Sequence, residues 1–116
     1  MRELLENAAE RAISYLESLP SRHVAPLPES IARLSALADP LPEEPVQPEM
    51  VLHLLDDICS PATTAMAGPR YFGFVIGGSL PVTLAANWLA GAWDQNTALY
   101  NAAPATACLK RSPYAG

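Results

Sequence analysis

The chain of 116 residues has one lysine, two cysteines and a long run without charge, and each scarcity excludes a class of protein. Cys59 and Cys108 lie far apart and outside any CxxC pair, so neither a zinc site nor a disulfide framework is indicated, and both are read as buried thiols. The cationic residues Arg2, Arg11, Arg22, Arg33, Arg70, Lys110 and Arg111 are scattered against 12 acids, which leaves no patch to neutralise the phosphates of a nucleic acid. Glu3, Glu6 and Glu10 interrupt the place where a secretory signal would need an apolar core, so the cytoplasm is the expected location. From Tyr71 to Trp93 there is no charged side chain at all. A helix of about 20 apolar residues crosses a bilayer. Here, however, Gly77, Gly78, Ser79 and Pro81 break the first half, Asn87 sits in the second, and no Lys/Arg cluster flanks the run. A membrane span is not expected.

What the chain has in excess is proline: 12 residues, roughly twice ordinary usage, which favours short elements separated by connectors. Leu4, Leu5, Ala8, Ala9, Ala12, Ile13 and Leu16 recur at helical spacing and predict an amphipathic helix over 2–18, stopped before Pro20. "PSRHVAPLP" (20–28) reads as an extended connector. Pro28 and Glu29 open a second helix over 28–38 with Ile31, Leu34 and Leu37 on one face. After the acidic linker "PLPEEPVQP", Val51, Leu54, Leu55 and Ile58 predict a third helix over 48–59. Ser60 and Pro61 have the pattern of an N-cap and first helical residue, predicting a short fourth helix to Ala67. Each of the first three helices carries one apolar face that needs a surface to cover.

The uncharged run divides into an extended aromatic segment over 70–76 and a helix over 80–101 capped by Ser79. Leu80, Leu84, Trp88, Leu89 and Trp93 share that helix with alanines and a glycine, leaving almost no polar side before Asp94. A helix apolar all round is buried on all sides. So short a chain offers too little surface for that, so a further segment or a partner subunit is expected.

The stretch "GPRYFGFVIGGSLPVTLAANWLAGAWDQN", with the following "AAP" and the preceding "LLDDICSPAT", resembles the N-terminal region of the pyridoxal-phosphate-dependent group II amino-acid decarboxylases. That family includes the aromatic-L-amino-acid and glutamate decarboxylases. The resemblance covers residues 1–109 and rests on Pro69, Arg70, Tyr71, Phe72, Gly77, Gly78, Trp93, Asp94, Gln95, Asn96 and Pro104 in that order. Gly68 stands where the family usually has a histidine, as in some bacterial members. The resemblance implies a mostly α fold, the N-terminal helical segment of a fold type I pyridoxal-phosphate-dependent transferase, truncated before the large α/β cofactor domain. On this reading residues 1–67 are dimer-packing helices joined by proline-rich linkers, and 68–109 are an aromatic loop and buried helix leading towards that domain. Residues 110–116, "KRSPYAG", form a divergent tail, as from a truncation or shifted reading frame.

The resemblance also implies a function, decarboxylation of an L-amino acid by the complete enzyme, with pyridoxal phosphate as cofactor and a second subunit of a homodimer as partner. This segment would contribute dimer contacts and a wall of the substrate pocket. Phe74, Val75 and Ile76 would approach the substrate, and the stretch with Asn96, Ala98 and Tyr100 would do so from the facing subunit. Gly77 and Gly78 behind an apolar loop suit close backbone approach to a ligand. The same alternation also suits a buried strand, in which Phe74 and Ile76 would be core. Family members that bind acidic substrates have a polar side chain at the position of Phe74, so an aromatic or other hydrophobic amino acid is favoured. The cofactor needs a Schiff-base lysine, an acid for its pyridine nitrogen and donors for its phosphate. The family's lysine follows a histidine outside the region of resemblance, so Lys110 does not inherit its role, and no catalytic or cofactor-binding residue is assigned. The chain alone is expected to bind no cofactor and to be inactive. His23 and His53 are read as exposed side chains rather than cofactor-stacking groups. Adjacent carboxylates on a helix point about 100° apart, so Asp56 and Asp57 are read as a solvated helix end rather than a catalytic pair. The alternative of another class is a free-standing all-helical protein-interaction module without catalysis.

Overall fold

The computed structural model describes residues 1–40, 42–96 and 99–111, in two compact units, Met1–Gly78 and Ser79–Gly116. The described residues are mostly helical and include no β-strand.

In the first unit, α1 (Arg2–Ser18), α2 (Pro28–Arg33) and α3 (Pro48–Cys59) form where the apolar spacing predicts them. Pro28 and Pro48 stand in the first turns of α2 and α3, where a missing backbone N–H costs no helical bond. A 3-10 turn, Leu34–Ala38, extends α2 to the end of its predicted range, and another, Ser60–Ala62, extends α3. The predicted fourth helix to Ala67 does not form. Ser60 is the helical C-cap of α3 rather than an N-cap, and the chain turns extended at the β-branched Thr63, ahead of Gly68 and Pro69.

The buried apolar centre of this unit is small: Leu19, Ile58 and Ala65. Polar ties supplement it. Arg11 Nη1 meets Asp56 Oδ2 at 2.8 Å in a half-buried ion pair, and Arg33 Nη2 meets Asp57 Oδ2 at 2.6 Å in an exposed one. The divergence of neighbouring helical side chains lets α3 hold α1 with one carboxylate and α2 with the next. The pair expected as a solvated helix end is therefore a double tie, with Asp56 partly shielded and Asp57 exposed. Tyr15 Oη and Thr63 Oγ1 lie 2.7 Å apart, and Ala65 N–H donates to Val24 O at 2.9 Å, fixing the segment after α3 against the connector after α1.

The second unit contains α4 (Pro81–Trp93) and α5 (Pro104–Arg111) instead of one helix over 80–101. Pro81 opens α4, Leu80 is its N-cap, and Ser79 makes no cap bond. Asp94 ends it in the left-handed region (φ 47°, ψ 48°), its N–H donating to Ala90 O. Short polar side chains tolerate that conformation better than most, so "DQN" serves as a C-terminal stop. The sequence reading did not anticipate α5, which runs past the predicted boundary at 109 into the tail; residues 112–116 lie outside the described residues. No residue of α4 is buried, although its composition calls for burial, and Trp88 and Trp93 remain 46% and 51% exposed. The two thiols are not buried either: Cys59 is half-buried and Cys108 exposed, on helices that bury few of their neighbours.

Candidate functional site

The predicted extended segment 70–76 is a looped structure. Ile76 N–H donates to Gly73 O at 3.2 Å, and the two residues between, Phe74 and Val75, both have positive φ (53° and 56°). That is the pattern of a type I′ turn, a position ordinarily taken by Asn-Gly, and a β-branched residue there is a conformational outlier. Alternation along a strand is thereby lost. Phe74 and Ile76 are not core: Phe72, Phe74 and Val75 are 91%, 87% and 105% exposed, and Ile76 is more than half exposed.

The base of the loop folds around Tyr71. A Cβ on Gly73 would lie 2.7 Å from Tyr71 Oη, and one on Gly77 would lie 3.1 Å from its ring and 2.6 Å from Met66 O. Gly78 N–H closes the loop onto Met66 O at 3.3 Å. The Tyr71 hydroxyl is thus enclosed, with no hydrogen-bond partner among the described residues. An unmet buried hydroxyl costs about 1–3 kcal/mol. Tyr71→Phe is accordingly expected to leave stability unchanged or to raise it by up to about 1 kcal/mol. A clear fall in the urea midpoint would show that the hydroxyl has a partner.

Of the residues assigned to a pocket wall, Phe74, Val75 and Ile76 are brought together in this one turn, within the first unit. Asn96 and Tyr100 belong to the second unit, Tyr100 about half exposed, and Ala98 lies outside the described residues. His23 and His53 are both exposed. No group of His, Cys, Asp and Glu side chains suited to a metal ion occurs among the described residues.

A second feature escaped the sequence reading. Arg22, in the connector after α1, lays its guanidinium 4.4 Å from the centre of the Tyr15 ring. Its Nη1 donates to Ser18 Oγ (3.2 Å) and its Nη2 to Ser60 O (2.5 Å) and Ser60 Oγ (3.4 Å). Arg70 Nη2 donates to the backbone carbonyl of Arg22. Beside them opens a cleft of about 210 Å³ lined by Arg22, His23, Leu27, Ser30 and Thr63 among others. The only signal for it in the sequence is the "SRH" triplet in a proline-rich connector, which carries no recognisable spacing.

The cleft beside Arg22 does not suit pyridoxal phosphate. It contains neither a lysine nor a carboxylate to hold the cofactor's carbonyl and ring nitrogen. The lone lysine, Lys110, belongs to α5 in the other unit. Among the described residues no helix is long and apolar enough to cross a membrane. No family model, no curated protein and no solved structure matches the chain.

Proposed function

We propose that the chain is the N-terminal segment of a cytoplasmic pyridoxal-phosphate-dependent amino-acid decarboxylase, contributing contacts to a homodimer and part of the substrate pocket wall. The cofactor and the chemistry belong to the complete enzyme, and no step is assigned to residues of this segment. The observation that carries the reading is the turn at 73–76. It holds Phe74, Val75 and Ile76 outward on a backbone that costs free energy, between Tyr71-Phe72 and Gly77-Gly78 of the motif series. Strained backbone persists where surrounding structure enforces it, and such positions cluster at ligand-binding sites. An apolar tip favours an aromatic or other hydrophobic amino acid as substrate. The apolar faces left open on α3 and α4, with Val51, Leu54, Trp88 and Leu89 about half exposed, agree with helices that are covered in an assembly.

A chimera tests this. With residues 1–109 replacing the matching segment of an aromatic-amino-acid decarboxylase, the product is expected to be dimeric and to decarboxylate. A chimera whose cofactor domain is folded and loaded but which is monomeric and inactive would sink the proposal and favour a helical interaction module.

A further inference from the structure

Five arginine side chains are described, and three of them face carboxylates: Arg2 with Glu6, Arg11 with Asp56 and Arg33 with Asp57. Arg22 and Arg70 face none among the described residues, although the chain as a whole carries a net charge of -5. Arg22 is half-buried, and its recorded partners are neutral oxygens and an aromatic face. A guanidinium has five N–H groups, so the three recorded bonds leave two for another acceptor. The Ser30 hydroxyl and the His23 ring line the same cleft, and neither makes a hydrogen bond within the chain among the described residues. Partial burial without a counter-ion strengthens the pull of such a cation on an anion.

From this arrangement we infer that the cleft beside Arg22 binds a small phosphate, free or as the end group of a phosphomonoester. Its volume of about 210 Å³ is below the roughly 300–1,000 Å³ of sites for drug-sized ligands, which restricts the occupant to a small group. With Nη2 engaged by Ser60, a remaining N–H of Arg22 can donate a single charge-assisted hydrogen bond to a phosphoryl oxygen, and the Ser30 hydroxyl and His23 supply further donors. This site stands on the geometry of the first unit alone and does not depend on the decarboxylase reading.

The full chain, equilibrated by dialysis against radiolabelled inorganic phosphate, is expected to take up phosphate saturably, close to one per chain. Dialysis reads binding whatever the state of association of the chain. Arg22→Gln should weaken uptake by roughly tenfold or more, the worth of one charged hydrogen bond. Ser30→Ala removes a hydroxyl that holds nothing in the fold, so its weaker uptake would report on the cleft even where Arg22→Gln disturbs folding. Arg33→Gln, which alters an exposed arginine already paired with Asp57, should bind as the unaltered chain does. Displacement by glycerol phosphate below the concentration at which unlabelled phosphate displaces assigns the site to an ester, and displacement only above it assigns the site to free phosphate. Uptake that does not saturate, or that is the same in the unaltered chain and the Arg22 and Ser30 variants, overturns the inference.

Discussion

The chain on its own is expected to self-associate or precipitate, and Trp88→Glu with Trp93→Glu is expected to make it markedly more soluble. Full burial of a large apolar side chain is worth about 1.5–3 kcal/mol, and a small domain's whole stability margin is roughly 5–15 kcal/mol. Leu80, Trp88, Leu89 and Trp93 all remain about half exposed or more, and α4 buries none of its residues. Several such side chains in water forfeit a large part of that margin, and a second copy is the nearest surface able to recover it. Sedimentation velocity reads the outcome. In the chimera the same two substitutions should abolish the dimer, because there the tryptophans would be covered. A compact monomer with a sharp cooperative melt would mean instead that the helices suffice for themselves.

The second large effect is expected at Gly77. Its φ of 126° is one that side-chain-bearing residues rarely adopt, and a Cβ there would stand 2.6 Å from the carbonyl oxygen of Met66. That oxygen also receives the Gly78 N–H, so relief would require breaking the bond that closes the loop. A rotamer change offers no escape from a backbone clash. Gly77→Ala should therefore cost on the order of 1–3 kcal/mol, concentrated in residues 66–78. Amide exchange at Gly78 should accelerate sharply, and limited proteolysis should move to the loop. Gly78→Ala meets nothing within 4 Å and should disturb the loop less, despite its φ of 81°. Unaltered exchange at Gly78 in the Gly77→Ala chain would contradict the geometry described.

The helices of the first unit were legible because their signals are local: an apolar repeat, and prolines placed where a first turn tolerates them. The failures have physical causes too. Asp94 stops α4 through a left-handed cap, a role that periodicity does not reveal and that glycine more often fills. α5 was hidden because its eight residues are too few for an apolar repeat to mark a helix. The turn at Phe74 and Val75 contradicts the local preference of both residues, so propensity pointed to a strand. It takes its shape from Tyr71, Gly73, Gly77 and Met66 around it. The surroundings of Arg22 were the least legible, since Tyr15 and Ser60 reach its guanidinium, and Ser30 and Thr63 the cleft beside it, only through folding. The assignment of Phe74, Val75 and Ile76 to a pocket wall rests on resemblance alone, and the fold adds only that the three are presented together in one exposed turn.

The double tie made by Asp56 and Asp57 bears on how the chain is born. The partners of α1 lie far downstream: Asp56 is 45 residues beyond Arg11, and Thr63 is 48 beyond Tyr15. α2 likewise waits for Asp57, 24 residues after Arg33. A ribosome releases these segments in order, so the first two helices emerge before anything exists to fasten them. Both are caught only when α3 appears, and the proline-rich connectors, poor in regular structure, keep the waiting pieces apart in the interval.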